Sequence, residues 1–409
     1  MRLVTILGYA CIPAALCVHW FAHDRSWEPT VTFLLAGLAI IPLASLMGQA
    51  TEQLSERTGP TWGGLLNATF GNAAELIIGI VAVSKGFNEI AKASLTGSIL
   101  GNLLLVGGGA MVVGGWGRER QTFSRGSAEA NAGLLIVAVA GMLLPAIFDA
   151  SFHHRDRFLN EHEGGMSIGT SVILLLVYGA GLLFALRTHT HVFTCKPCET
   201  PEDPAGVGGL GSWSVRRSIL ALLFASAVVA VLSELLVGAV DQTAQLLGWN
   251  KIFVGVIVLA IIGNAAEHST ALMLARRNDM DTAMSIVFQS SLQIALFVTP
   301  ALVLLSRAFV GLNIGAARAA GPLNLVFSPL EVVAVFLTVI IVVILLRNGE
   351  TNWFEGTLLL AVYAILAITF FYIPSESAAG YDEAAPALPS RDGGRATLDS
   401  GRAHVVVEH

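Results

Sequence analysis

The 409-residue sequence contains few charged residues, which make up 13% of the chain. A soluble protein of this length would normally carry about 25% charged residues. No run of Lys and Arg is long enough to indicate nucleic-acid binding. The sequence also lacks a Ser-His-Asp arrangement and a His-Glu-x-x-His motif, so it favours no enzyme class. These absences exclude an ordinary soluble enzyme or a nucleic-acid-binding domain.

Long apolar runs dominate the chain instead. Hydrophobic residues make up 54% of it, and the mean hydropathy is +0.70. A helix that crosses a membrane needs about 20 consecutive apolar residues. Eleven segments meet this length, approximately 4–22, 31–52, 61–84, 90–115, 129–149, 167–187, 217–240, 252–275, 281–306, 325–346 and 354–372. The composition therefore predicts an all-α membrane protein with about eleven transmembrane helices.

One pentapeptide, Gly-Asn-Ala-Ala-Glu, occurs twice, at 71–75 and at 263–267, each time inside an apolar run. A carboxylate in the middle of a membrane costs roughly 2.5–3.5 kcal/mol on insertion scales, so it is rarely present without a function. Glu75 and Glu267 therefore predict a polar site that two related halves of the chain share. Such a site near the membrane midplane is typical of transporters built from internal repeats.

The repetition extends well beyond the pentapeptide. Residues 61–110 align without a gap on residues 253–302, which lie 192 positions later. Five predicted spans separate equivalent helices, and because five is odd the two halves must have opposite orientations in the membrane. The predicted organisation is a leading transmembrane helix (1–30), a first five-helix repeat (31–187), a central linker (188–216), a second, inverted five-helix repeat (217–373) and a disordered tail (374–409).

Oxygen-bearing side chains accompany both glutamates. Asn72 lies three residues before Glu75, and Asn264 lies three residues before Glu267, so each pair shares one face of a helix. The adjoining helices add five candidate cation ligands, which are Ser98, Asn102, Ser290, Ser291 and Gln293. Calcium takes about six to eight oxygen ligands from such groups. Small polar residues also commonly hold membrane helices together, so these five are weaker candidates than the glutamates.

The paired carboxylates also suggest an energy source. When a metal ion leaves a site of low dielectric constant, two facing carboxylates cannot comfortably both remain ionised. Protons are the natural replacement ligands, so Glu75 and Glu267 are predicted to bind either a divalent cation or about two protons. This mutual exclusion predicts antiport by alternating access. His268, next to Glu267, is a candidate proton relay and equally a packing histidine.

Several other polar groups are candidates for secondary roles. Glu52, Glu234 and Asp241 lie near the ends of predicted spans and could serve as gate acids, although a solvated acid is ordinary there. The linker sequence His189-x-His191-x3-Cys195-x2-Cys198 contains the ligand types of a zinc site, but a plain flexible linker is favoured. An excess of Lys and Arg in the loops on the N-terminal side predicts a cytoplasmic N-terminus and a C-terminus on the opposite side.

The repeat motifs resemble those of the calcium/proton exchangers, the cation/proton branch of the calcium:cation antiporter superfamily. The matching segments are GGLLNATFGNAAELIIGI (63–80), SLTGSILGNLLLVGGG (94–109), SELLVGAVDQ (233–242), GNAAEHSTALMLA (263–275) and SSLQIALFVTPALVLLS (290–306). The resemblance covers about residues 31–372. It implies ten core helices and a leading helix, exchange of calcium for protons, and Glu75 and Glu267 as the central ligands with Asn72 and Asn264 assisting.

Other functions remain open from the sequence. Related sodium/calcium exchangers carry repeats resembling GTSxPE, and the Gly-Asn opening here disfavours coupling to sodium. An exchanger of the same fold for manganese or with sodium coupling is the main alternative, and a cation channel is a further one. No cofactor is predicted, and the predicted partners are calcium, protons and the lipid bilayer. The compact chain favours a prokaryotic plasma membrane over a vacuolar membrane.

Overall fold

The structure is a computed structural model that describes residues 2–22, 25–58, 60–152, 156–190 and 213–374. Most of the predicted linker, with His191, Cys195 and Cys198, lies outside the described residues, and so does the predicted tail apart from Pro374. Residues 1–373 form one compact unit.

Nearly all of the described chain is helical. The helices are α1 (Arg2–Phe21), α2 (Glu28–Thr58), α3 (Pro60–Phe70), α4 (Ala73–Ser84), α5 (Asn88–Leu100), α6 (Gly107–Gly115), α7 (Arg125–Phe152), α8 (Asp156–Leu183), α9 (Val215–Leu247), α10 (Lys251–Phe253), α11 (Ala260–Gly263), α12 (Ala265–Arg276), α13 (Met280–Gln293), α14 (Thr299–Gly311), α15 (Ala317–Ala320), α16 (Pro329–Leu346) and α17 (Trp353–Phe371). π-helical segments at Gly101–Val106, Phe184–Thr188, Val254–Leu259 and Ile294–Val298 continue α5, α8, α10 and α13. The short strands β1 (Gln121–Thr122) and β2 (Glu350–Thr351) pair antiparallel.

The helical content confirms the predicted fold class. A helix satisfies its own backbone hydrogen bonds, which an apolar surrounding requires. Among the described residues, eight helices are long and apolar enough to cross a membrane, or up to nine if the bent pair Lys251–Gly263 and Ala265–Arg276 is one span. Thr5–Phe21 and Ala73–Ser84 are shorter apolar helices. Each of the eleven predicted segments is mostly helical, with breaks at 71–72 and at 264 and non-helical residues at 325–328, and the number of eleven spans stays a prediction.

The two copies of the pentapeptide interrupt their helices at the same place. α3 ends at Phe70 and α4 begins at Ala73, while α11 ends at Gly263 and α12 begins at Ala265 with a bend of 61°. The breaks place each glutamate in the first turn of a half-helix. Unpaired N–H groups at a helix N-terminus carry partial positive charge, which favours a carboxylate there. The fold therefore builds two related half-helix ends around the predicted site.

Two glycines allow the repeats to approach each other closely. A Cβ on Gly97 would lie 1.9 Å from the backbone oxygen of Val256, and one on Gly255 would lie 2.5 Å from Cβ of Ala93. Small residues at such crossings are typical of membrane helix packing. The crossing of α5 with the Val254–Leu259 segment brings polar residues of the two repeats within reach of each other.

The connection between α14 and α16 covers one end of half-helix α4. The backbone N–H of Ala316 donates to the carbonyl oxygen of Ser84 (3.0 Å). The extended residues that follow are held by side chains, because Leu325 N donates to Ser167 Oγ (3.1 Å) and Lys92 Nζ donates to the oxygen of Val326 (2.6 Å). Irregular backbone in a membrane protein needs such partners when it is buried.

Substitution of Gly97 with Ala is expected to destabilise the protein by about 3 kcal/mol, because the new methyl group meets backbone that cannot yield easily. Thermal unfolding of the purified protein in detergent, followed by size-exclusion chromatography, measures the effect. Gly101→Ala is the matched control, since no heavy atom lies within 4 Å of its Cβ position. Equal melting temperatures for the two variants would contradict the close crossing.

Candidate functional site

A continuous chain of buried polar side chains crosses the interface between the two repeats. Its members, in order, are Gln293, Asn72, Ser290, Asn102, Asn264 and Ser98. All six are buried, and three come from each predicted repeat. Buried polar groups are stable when they are hydrogen-bonded, and a fully connected network fixes the positions of its members.

One end of the network is built around Asn72, in the break before α4. Its Nδ2 donates to Gln293 Oε1 (2.5 Å), and its Oδ1 accepts from Ser290 Oγ (2.9 Å). Asn102 Nδ2 donates to the same Ser290 Oγ (2.8 Å). Both ends of the Asn72 amide are therefore held by side chains of the second repeat.

The other end is built around Asn264, in the break before α12. Its Oδ1 accepts from Asn102 Nδ2 (3.1 Å), while its Nδ2 donates to Ser98 Oγ (2.8 Å) and to the oxygen of Ala260 (2.9 Å). The pairs Asn72–Ser290 and Asn264–Ser98 are equivalent under the offset of 192 residues. The site thus repeats the internal symmetry of the sequence.

Of the five secondary candidate ligands, Ser291 lies outside this network. Its Oγ donates to the backbone oxygen of Val287 (2.8 Å), one turn earlier in α13. Ser98, Asn102, Ser290 and Gln293 all belong to the network. The structure therefore separates two adjacent serines that the sequence could not distinguish.

Glu75 is buried beside this network without a hydrogen-bonding partner. Its side chain is in the first turn of α4, the residue is 7% exposed, and within the described part of the chain neither carboxylate oxygen has a partner. Oε1 lies 3.6 Å from the position that a Cβ on Gly263 would occupy, so the carboxylate faces the break of the opposite repeat. Glu267 is near enough to act on it electrostatically. A buried carboxylate in this place is stable when a cation balances its charge or when a proton removes the charge.

Glu267 occupies the equivalent place in the second repeat but is less covered. Its residue is half-buried, and Oε2 is buried without a hydrogen-bonding partner among the described residues. Half-helix α4 buries seven residues, Glu75 among them, whereas the equivalent half-helix α12 buries only Ala271 and Ala275. Ser269 and Thr270 of α12 are exposed. The site is accordingly more accessible along α12 than along α4.

The remaining acidic candidates lie away from the network. Glu52 is exposed. The carboxylate of Glu234 lies 3.4 Å from Lys85 Nζ, and that of Asp241 lies 3.3 Å from Lys251 Nζ. Exposed ion pairs of this kind contribute little to stability, about 0–1 kcal/mol. A gate role for these acids stays a prediction that the geometry does not strengthen.

The structure describes His268, but it describes only one residue of the His/Cys motif in the linker. His268 is half-buried, and its Nε2 has no hydrogen-bonding partner in the described ranges. His189 is exposed, but the other three residues of the proposed zinc motif lie outside the described residues. In the part of the chain that is described, no group of three His, Cys, Asp or Glu could hold a metal ion. Any further oxygen ligand for a cation beside the two glutamates would come from the amide and hydroxyl groups of the network.

Sequence reasoning missed the buried carboxylate of Glu331, in the first turn of α16. Its Oε2 accepts from Ser328 N (3.0 Å), and its own backbone N–H donates to Ser328 Oγ (3.3 Å), so the two residues form a capping box. Lys92 is close enough to interact with it electrostatically. A serine three residues before a glutamate at the start of an apolar run is the signal that could have revealed this arrangement.

Comparison with known proteins identifies relatives that match most of the chain. The profile of the sodium/calcium exchanger protein family matches residues 28–187 and 217–372. The chain is 41% identical over 375 residues to a Ca(2+)/H(+) antiporter of Synechocystis sp., covering 89% of this chain and 95% of the relative. It is 42% identical over 363 residues to a vacuolar calcium ion transporter of Schizosaccharomyces pombe, covering 89% and 83%.

A solved structure agrees with these relatives. The crystal structure of the Ca2+/H+ antiporter protein YfkE matches with a TM-score of 0.73 at 38% identity, covering 91% of this chain and 100% of that chain. The fold is therefore that of a polytopic ion transporter. The chain belongs to the sodium/calcium exchanger protein family, and its similarity to the Ca2+/H+ antiporters confirms the resemblance seen in the repeat motifs.

Substitution of Ser290 with Ala is expected to lower stability by about 1–3 kcal/mol, because it leaves Asn72 Oδ1 and Asn102 Nδ2 without one partner each. Ser291→Ala, one residue further along the same helix, is expected to cost under about 1 kcal/mol, since it removes a bond only to its own helix. Thermal unfolding of the purified variants compares them. A larger loss for Ser291→Ala would contradict the network.

Proposed function

We propose that this protein is a secondary active antiporter that exchanges calcium for protons across a membrane by alternating access. In this proposal Glu75 and Glu267 bind either the cation or protons. The observation that carries it is the buried carboxylate of Glu75, whose two oxygens have no hydrogen-bonding partner among the described residues and which lies beside a second carboxylate at the interface of the repeats. The names of the relatives, a Ca(2+)/H(+) antiporter and a vacuolar calcium ion transporter, support the same ions.

The donor set supports a divalent cation as the substrate. Two carboxylates neutralise a double charge, and Asn72 supplies a further oxygen. Calcium accepts carboxylate, amide and water oxygens in flexible numbers at about 2.3–2.6 Å. Asn264, whose Oδ1 accepts from the planar amide of Asn102, would stabilise the geometry of the second helix break.

Proton coupling follows from the same two glutamates. Once the cation leaves, nothing in the described network neutralises Glu75, and burial makes an unpaired negative charge costly. Binding of a proton removes that charge. Because proton and cation use the same oxygens, one displaces the other, and the site couples their movements in opposite directions.

Alternating access draws support from the unequal burial of the two repeats. α4 is more deeply buried than α12, although the two half-helices have related sequences. Inverted repeats permit a second state in which the environments are exchanged and the site opens to the other side. The covering of α4 by the connection that contains Ala316 would have to loosen in that state.

The membrane and the orientation in it also remain proposals. The relatives include a vacuolar transporter, and the distribution of Lys and Arg favours a cytoplasmic N-terminus. Manganese as the cation, sodium as the coupling ion and a channel mechanism are the alternatives that the following experiment separates.

Uptake of radioactive calcium into proteoliposomes with an acidic interior tests the proposal. Wild type is expected to show uptake that a protonophore abolishes. Glu75→Gln and Glu267→Gln are expected to fall to the level of empty liposomes, because an amide can neither neutralise calcium nor exchange a proton at neutral pH. Glu350→Gln is the control, since that exposed acid pairs only with Arg120 on the surface.

Four outcomes would contradict the proposal. Uptake that requires sodium would indicate a different coupling ion, and uptake of manganese in place of calcium would indicate a different substrate. Calcium flux that ignores the proton gradient would indicate a channel. Full activity of both glutamine variants would exclude the paired carboxylates as the site.

A further inference from the structure

We infer that Gln293 and Asn102 are positioning residues that turn the two repeat-related asparagine amides in opposite directions, so that Asn72, and not Asn264, offers its carbonyl oxygen to the cation. The inference rests on the proposed function, because it concerns how the same site meets its substrate. It assigns unequal roles to two residues that the sequence repeat presents as equivalent.

The internal symmetry is broken at two neighbouring positions of the network. The offset of 192 residues places Gly101 opposite Gln293 and Asn102 opposite Ile294. Each repeat therefore supplies one additional amide, at a different position. Each of these amides bonds the asparagine of the other repeat, since Gln293 contacts Asn72 and Asn102 contacts Asn264.

The two additional amides hold their asparagines by opposite ends. Gln293 Oε1 accepts from Asn72 Nδ2 (2.5 Å), which directs Asn72 Oδ1 away from Gln293. Asn102 Nδ2 instead donates to Asn264 Oδ1 (3.1 Å). An amide has a donor end and an acceptor end, so these contacts select opposite orientations.

The orientation of Asn72 leaves its oxygen available. Among the described residues, its Oδ1 accepts one hydrogen bond, from the hydroxyl of Ser290 (2.9 Å), and a hydroxyl hydrogen can rotate without movement of heavy atoms. Rotation of that hydrogen releases a carbonyl oxygen on the residue three positions before Glu75. If the amide were reversed, its NH2 group would face the cation and repel it.

The oxygen of Asn264 is held by a donor that cannot rotate away from it. Its Oδ1 is held by the planar amide of Asn102, whose hydrogens cannot turn away, and its Nδ2 is held by Ser98 (2.8 Å) and by the oxygen of Ala260 (2.9 Å). Release of this oxygen requires a side chain to move. Asn264 therefore stabilises the geometry of the second helix break in this state.

Equilibrium binding of radioactive calcium to the purified full-length protein tests the inference. Gln293→Met keeps the length of the side chain but removes the acceptor, and we expect calcium to bind about tenfold more weakly, the factor that corresponds to loss of one hydrogen bond. Gln293→Glu keeps an acceptor oxygen for Asn72, so it should bind calcium at least as tightly as wild type. Thermal unfolding of each variant verifies that it is folded.

The same measurement in variants that already carry Asn72→Asp or Asn264→Asp separates a positioning role of Gln293 from direct ligation of calcium by Gln293. Asp has oxygens at both ends of its side chain, so Asn72→Asp no longer needs Gln293 to orient it. Gln293→Met should then weaken binding by less than twofold in the Asn72→Asp background, but by the full tenfold in the matched Asn264→Asp background. An equal loss in both backgrounds would overturn the inference and make Gln293 a ligand itself. Absence of calcium binding by wild type would overturn the proposed function and this inference with it.

Discussion

The cost of a buried negative charge governs the architecture around Glu75. Within the described chain its carboxylate has no hydrogen-bonding partner, although the six side chains of the neighbouring network are joined by hydrogen bonds. A charge in that position is stable only with a counter-charge, and none of the network side chains carries one. The network therefore leaves the charge of the glutamate without a neutralising partner. Helix breaks, small residues and the polar network all serve to hold this unsatisfied group in place.

The broken helices make such a site compatible with a membrane. Each break frees a few backbone groups and exposes a half-helix N-terminus, and Asn72 and Asn264 occupy the non-helical positions there. The Glu75 carboxylate faces Gly263 in the opposite break, and Gly97 allows the helices to cross closely enough for side chains of both repeats to bond. The π-helical turns at Gly101–Val106 and Ile294–Val298 begin at or next to residues of the network, a location typical of functional sites.

The repeats are similar in backbone and unequal in detail. α4 is more deeply buried than α12, and the extra amides lie at different positions of the two repeats. The helix of each repeat's fourth predicted span (α7 and α16) also begins differently. Ser328 N donates to Glu331 of its own helix, whereas Ser124 N donates to Asp281 of the opposite repeat. Duplication of the repeat explains the shared backbone, whereas these differences make the two sides of the site unequal.

Much of this arrangement follows from local features of the sequence. Apolar runs of about 20 residues predict membrane helices because only an internally bonded backbone is stable in lipid. The recurrence of Gly-Asn-Ala-Ala-Glu, with an ungapped alignment around it, predicts paired glutamates in related surroundings because a charge in an apolar run is costly. The assignment of Asn72 and Asn264 to the site follows from their position three residues before each glutamate. These inferences need only the chain itself and the properties of its solvent.

Contacts between distant segments were decided by the tertiary structure alone. The separation of Ser290 from Ser291, the reciprocal amide contacts of Gln293 and Asn102, and the pairing of Glu234 with Lys85 all depend on how helices rotate and cross. A shift of one residue turns a helical side chain by 100°, so sequence spacing within one helix cannot determine which groups of another helix it meets. The number and type of residues at the site are properties of the sequence, whereas the orientation of each amide is a property of the packed helices.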